Sequence, residues 1–491
     1  MKRIKMFGRF AAFLAVALTC IVITEKLLTP KYYYIDKWPT TTTYSDFYKL
    51  NRNSADVLFL GSSHCVTAFN PQELYDKYGI TSFNMGCEQQ SLLLSYYWLK
   101  EALKTQKPRV IVLDTYILHT YKGAVGQPLN CTEATIRKSM DSMHWNLNKT
   151  DAISDICAAD DTQSKLSFYL PNVRFHTRWY GLAENDFTAG QLSAHPGMFG
   201  FSALSNIDGT KFTPLKAGTS GDTETMVPLM KSYLDQIVRL CRQQNIPLVL
   251  VKTPSSAQTI GRHNSTQEYA AENNLPFYDF NMSDLYTAAG YDVPTMNESH
   301  LNIWGSLKIT DYIGQILTEQ YGLGGHTDAQ WTDAENNYQG VKKDCDLVQV
   351  NEIHDYLSRL LEKRYSIFIV TQGNVTDLTD TETAKEVQAL GFKADLSQMT
   401  KQTYYYGVDT PVGISENMSG ESIKYKGSIR SGKSVYSLAT ASNVSSVQID
   451  GKEYVTSERG IHVVVYDNDR EQVVDSVCFT TDSKGKMTAV R

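Results

Sequence analysis

Gly61-Ser62-Ser63-His64 follows directly on the apolar run Asp56-Val-Leu-Phe-Leu60, and far downstream stands Asn297-Glu-Ser-His300-Leu-Asn-Ile-Trp-Gly305. A short apolar run ending in small residues reads as a buried strand that breaks into a tight turn. Such a turn lifts one serine out of the sheet edge, at the start of the next helix. A serine hydroxyl is a poor nucleophile until a base takes its proton. Histidine suits that task because its pKa lies near neutrality. An early serine on a strand-to-helix turn, with a late histidine opening the final helix, suits acyl transfer.

These groups need elements to position them. Residues 56–60, 81–85, 108–114, 247–251 and 276–280 read as strands, and 71–78, 91–104, 223–244 and 301–323 as helices. Strands alternating with helices predict an α/β fold, a parallel sheet with helices on both faces. Ligands of such sheets bind beyond the carboxyl ends of the strands. Ser63, Gly86, Asp114 and Lys252 all fall at those ends. Residues 30–54 read as a polar, tyrosine-rich stalk, and 116–222, which break the rhythm, as an insertion capping the strand ends. After Gly322-Leu-Gly-Gly325 the polar stretch 326–344 reads as a linker. A smaller α+β, β-rich domain then occupies 345–491, with helices at 353–363 and 383–390 and strands at 365–370, 435–438, 446–449 and 461–466. Gly391 is placed to cap the second of those helices, and Asp450-Gly451 and Asp467-Asn468 supply turns.

The 491 residues suffice for two or three domains of about 100–200 residues each. A formal charge of −6 gives no basic face, so no nucleic acid is expected. Eight cysteines show no CxxC or paired spacing, which excludes a disulfide scaffold or zinc site and leaves one or two ordinary disulfides open. No phosphate loop or dinucleotide glycine fingerprint is present, so neither cofactor nor metal is implied. Lys2, Arg3, Lys5 and Arg9 precede an uncharged run from Phe10 to Thr24. Residues 1–29 therefore read as an uncleaved membrane anchor, with a signal peptide as the competing reading. The positive flank places the amino terminus inside and the bulk of the chain outside the cell.

The Gly-Ser-Ser turn and the Asn-x-x-His block together resemble the SGNH (GDSL-like) hydrolase superfamily over residues 30–325. The nearest branch is the membrane-anchored one that includes DltD and the alginate acetylation proteins. The resemblance implies a flavodoxin-like three-layer fold. It makes Ser63 the nucleophile, His300 the general base and then acid, and the N–H groups of Ser63 and Gly86 the oxyanion hole. Asn297 stands where the family has aspartate. Asparagine can accept a histidine N–H bond but brings no charge to stabilise imidazolium; in a serine protease triad the same change lowers turnover about 10⁴-fold. Asp292, Glu298 or a backbone carbonyl are the other groups that would orient His300. Asp114-Thr115 replaces the family's Gly-x-Asn-Asp block. The implied activity is O-acyl ester chemistry, as esterase or acyltransferase, on a cell-surface polysaccharide or teichoic-acid-like polymer. The implied partner is a membrane-bound O-acyltransferase. The alternative is a catalytically inactive glycan-binding or assembly factor that keeps the fold.

Other residues offer substrate contacts or structural roles: His64 after the nucleophile, Asp114 and Lys252 at strand ends, and Arg178 among Phe175, His176 and Trp179. Near the carboxyl end, Arg459-Gly460-Ile-His-Val-Val-Val465 and Val474-Asp475-Ser-Val-Cys-Phe479 resemble the core block of interleukin-like EMT inducer domains. That resemblance implies either a carbohydrate-holding module or a structural one.

Overall fold

The computed structural model describes residues 2–30, 41–182, 184–187, 197–207, 212–218, 221–292, 295–297, 300–429, 432, 434–441, 444–482 and 485–491, with the backbone alone at 2–5, 41–43, 184–185 and 297. The chain divides into two compact units, residues 1–339 and 340–491.

The first unit opens with α1 (Lys2–Leu28) and α2 (Thr41–Phe47). The expected stalk at 30–54 is in part core. Tyr44 and Phe47 are buried, and Tyr44 stacks on Trp98 at 3.8 Å. The expected stalk residues 31–40 lie outside the described residues. The alternation begins with β1 (Val57–Leu60), α3 (Ser63–Ala68), α4 (Pro71–Tyr78), β2 (Ser82–Asn84), α5 (Leu92–Ala102) and β3 (Val110–Asp114). The insertion contributes α6 (Glu133–Asp141), α7 (Leu147–Ala159), α8 (Lys165–Tyr169) and α9 (Asn172–Phe175). Then come α10 (Pro228–Gln243), β4 (Leu248–Lys252), α11 (Ile260–Glu272), β5 (Phe277–Asp279), α12 (Ser283–Ala288), β6 (Met296–Asn297), β7 (His300–Leu301) and α13 (Ile303–Tyr321).

The sheet is parallel, in the order β2-β1-β3-β4-β5. This is the flavodoxin-like doubly wound order. Its strands are buried on both faces, as parallel strands between helical layers must be. Leu58, Leu60, Ile111, Leu113, Leu248 and Leu250 point into one core, with α5 and α10. The alternate residues Val57, Phe59, Val110, Val112, Val249 and Val251 point into the other, with α4 and α13.

Two helix starts differ from expectation in ways that bear on the site. The helix expected from 223 begins at Pro228, because proline lacks an N–H and fits a helix only in its first turn. The final helix begins at Ile303 behind the cap Asn302, whose side chain accepts from Gly305 N–H. His300 therefore does not open that helix; it sits on β7, paired with β6 two residues upstream of the cap. The insertion's helices α6 and α7 pack on α5, on a face of the sheet, and Lys138 of α6 reaches Glu88 in the loop that follows β2.

The polar stretch read as a linker forms most of α14 (Ala329–Leu347). The second unit adds α15 (Ile353–Arg359), β8 (Tyr365–Gln372), α16 (Thr381–Ala389), β9 (Tyr404–Thr410), β10 (Gly413–Ser419), β11 (Ile423–Ile429), β12 (Ser434–Thr440), β13 (Ser446–Ile449), β14 (Lys452–Glu453), β15 (Gly460–Asp467), β16 (Gln472–Thr481) and β17 (Met487–Val490). Its antiparallel sheets run β10-β9-β8-β15-β16-β17 and β11-β12-β13-β14. Ile367 and Ile369 of β8 face a core shared with α15 and α16, while Phe368 and Val370 face the second sheet.

Candidate functional site

Gly61 makes the turn after β1. Its φ of 151° lies in the region where L side chains are strained, and a Cβ there would meet Asp114 Cβ at 2.6 Å and Cys65 Cβ at 2.9 Å. Ser62 and Ser63 then divide the work. Ser62 is the cap of α3: its Oγ accepts from His64 N–H at 3.3 Å and donates to Asp114 Oδ2 at 3.1 Å. Ser63 is the first residue of α3, half-buried, and its Oγ lies 2.8 Å from His300 Nε2. A neutral His300 with a bare Nε2 can accept a proton from that hydroxyl across such a distance. The two-residue ribbon β6–β7 pairs Asn297 with His300 and delivers the ring to the carboxyl ends of the strands. The side chain of Asn297, expected to orient His300, lies outside what is described, as do Glu298 and Ser299. Asp292, the other carboxylate considered, is 3.5 Å from Lys308.

Behind the serine lies a buried polar layer. His64, 2 % exposed, stacks on Tyr116 at 3.8 Å and on His300 at 4.5 Å. Its Nδ1 is 3.4 Å from Thr253 Oγ1. Thr253 is in turn held by Asn281, whose Nδ2 donates to Thr253 O at 2.9 Å and to Asp279 Oδ1 at 2.7 Å. Lys252, 4 % exposed, sets its ammonium over the Tyr116 ring at 4.5 Å. Burial pushes the Lys252 pKa down to about 8, against the opposing charges of Asp114 and Asp279. Burial, then the Lys252 charge, brings His300 down to about 4. Burial also holds His64 well below its ordinary value, reinforced by His300 and Lys252. Both imidazoles are thus neutral near pH 7, the form a base needs.

The remaining expected residues lie elsewhere or are engaged. Asp114 is fully buried under the Gly61 turn, where burial raises its pKa; it holds Ser62 and offers no face to substrate. Gly86 was expected to give the second oxyanion donor, but its N–H donates to Asn84 Oδ1 at 3.0 Å. A Cβ on it would meet Val66 and Cys65, so this glycine serves close packing of α3 on β2. Asn84 completes that joint, its Nδ2 donating to Cys65 O at 2.7 Å and Phe69 O at 2.9 Å. Arg178 donates to Asp186 at 2.8 Å and to Leu28 O at 2.5 Å, which ties the insertion to the end of α1. All eight cysteines are free.

Tyr116, Thr253 and Asn281 escaped the sequence reading. Each is a polar or aromatic residue one or two positions past a strand end, and that position is the signal that would have found them. In the second unit, His354, Glu382 and Glu386 bring ligand atoms within 4.8 Å of one another. An ion pair accounts for this cluster: burial is the largest influence and works against the His354 charge, but the hydrogen bond to Glu386 at 2.8 Å together with the charges of Glu386, Glu352 and Glu382 outweighs it and raises the pKa.

No family model matches the chain, and no curated protein does. Among solved structures, a protein from Desulfitobacterium hafniense provisionally assigned to the lipolytic G-D-S-L family aligns at 12 % identity with a TM-score of 0.27, over 54 % of this chain and 100 % of its own. A provisionally assigned acylhydrolase from Bacteroides fragilis aligns at 10 % identity with a TM-score of 0.26, over 56 % of this chain and 94 % of its own.

Proposed function

We propose that the first unit is a serine acyl hydrolase or acyltransferase of the SGNH type, and the observation that carries this is the 2.8 Å approach of His300 Nε2 to Ser63 Oγ. Ser63 attacks an ester carbonyl while His300 takes its proton; the tetrahedral intermediate collapses to an acyl-enzyme as His300 protonates the leaving alcohol. Water or an acceptor hydroxyl then reverses the sequence. The Ser63 N–H, in the first turn of α3, has no helical acceptor and is the oxyanion donor in this scheme. Gly86 would join it only by giving up Asn84.

The sequence resemblance extends the proposal. α1 holds the protein in the membrane with the site outside the cell, the substrate is an acylated cell-surface polymer, and a membrane-bound O-acyltransferase is the partner. The second unit, on its interleukin-like EMT inducer resemblance, holds that polymer. The competing reading, an inactive binding factor, draws chiefly on Asn297, with Asp114-Thr115 in place of the family's Gly-x-Asn-Asp block as weaker support.

A fluorophosphonate probe separates the two when applied to the full chain in detergent. Labelling that vanishes in Ser63→Ala and slows about 10²–10⁴-fold in His300→Ala is the expected result. A folded wild type that resists the probe, and takes it up only as Asn297→Asp, would put the binding reading first.

A further inference from the structure

The insertion carries a set of large apolar side chains that stand exposed among the described residues. Trp179 is 60 % exposed, Tyr180 79 % and Phe187 70 %, with Tyr169, Leu170 and Val173 also more than two-fifths exposed. Trp179 and Tyr180 stack on each other at 3.9 Å, and Tyr169 stacks on the exposed Trp145 at 5.3 Å. Monomeric soluble surfaces rarely gather such residues in one region.

Their location identifies what covers them. Residues 172–175, 176–181 and 184–187 all touch α1. Two hydrogen bonds fix the level of contact: Asn172 Nδ2 donates to Thr24 Oγ1 at 2.9 Å, and Arg178 Nη1 donates to Leu28 O at 2.5 Å. Both acceptors lie in the last turns of the apolar span Met6–Leu28. Those 23 residues, at about 1.5 Å each, extend about 35 Å, slightly more than the roughly 30 Å hydrocarbon core of a bilayer. The collar is therefore bonded to α1 at the depth where a spanning helix leaves the hydrocarbon. Tryptophan and tyrosine concentrate at that level, ring in the acyl boundary and polar atom in the headgroups.

We propose that Trp179, Tyr180, Phe187 and the neighbouring apolar residues of the insertion are seated in the headgroup zone of the phospholipid bilayer that α1 crosses. The insertion is then a membrane collar that holds unit 1 against the leaflet instead of leaving it on a free tether. The proposal rests on reading α1 as a membrane span, and its test separates the two. The full chain is reconstituted into phosphatidylcholine–phosphatidylglycerol vesicles that carry a nitroxide at the headgroup or deep in the acyl chain. Retention after alkaline carbonate reports α1 on its own. Tryptophan quenching reports the collar, because α1 contains no tryptophan. The expected result is retention, with shallow-nitroxide quenching that falls in Trp179→Phe and exceeds quenching from the deep position. Retention with quenching unaltered by Trp179→Phe would overturn the collar and leave the anchor standing. Trp179 shielded from aqueous iodide but not quenched by lipid nitroxides would mean a protein partner and equally overturn it. Release by carbonate would remove both.

Discussion

Lys252 holds its ammonium over the Tyr116 ring at 4.5 Å, beside two stacked imidazoles, and its charge adds to burial in depressing the His300 pKa. A base with a bound proton cannot accept another, so in the proposed mechanism Ser63 is activated only while His300 is neutral. Its pKa of about 4 lies below the unperturbed histidine value, so the acid limb of probe labelling is expected near pH 4 rather than near 6.5. Burial is the larger cause and the Lys252 charge the second. Lys252→Met removes only the second, so the limb should move upward part of the way toward 6.5. Lys252 itself, at about 8, stays charged through neutrality, which makes the shift observable below pH 7. A limb that stays in place in Lys252→Met would mean that the lysine does not act on His300. The same depression has a stability sign. Unfolded His300 takes up a proton near 6.5 while the folded form does not until about 4, so its contribution to stability falls as pH drops through that interval.

At the scale of the element, the strand–turn–helix at β1 and α3 fixes where Ser63, the proposed nucleophile, stands. Gly61→Ala forces a Cβ to within 2.6 Å of Asp114 Cβ and 2.9 Å of Cys65 Cβ, on backbone at φ 151°. The expected cost is about 2–3 kcal/mol in urea-unfolding free energy, with Ser63 labelling slowed because α3 shifts. An unchanged urea midpoint would show that the turn tolerates a side chain. This turn was readable in advance, because an apolar run closed by Gly-Ser-Ser encodes it locally. The histidine's support was not. Two-residue strands such as β6 and β7 carry no periodicity, and the pairing of Asn297 with His300 depends on where α13 docks. Tyr116, Thr253 and Asn281 were hidden for a related reason. They come from the ends of β3, β4 and β5, and only the strand order brings those ends together. Gly86 shows the opposite failure: a glycine at a strand end fits an oxyanion donor and a packing contact equally well until its N–H partner, Asn84, is known.

At the scale of the molecule, the α/β class and the β-rich carboxyl half followed from the alternation of patterns, because each strand's two faces feed two different cores. Tyr44 and Phe47 were missed as core because two aromatic residues three positions apart make too short a stretch to show a helical stripe. Each unit carries apolar cores built from its own strands and helices, so damage to one core should remain within its unit. Ile369 is fully buried between β8 and the helices α15 and α16 of the second unit. Ile369→Ala deletes three buried carbons there, with an expected loss of about 3 kcal/mol. Differential scanning calorimetry of the full chain should then show one transition lowered and the other in place, while fluorophosphonate labelling of Ser63 at 25 °C keeps its wild-type rate. If both transitions fall together and labelling slows with them, the units fold as one cooperative body. The second unit would then stabilise the serine site as well as its own sheets.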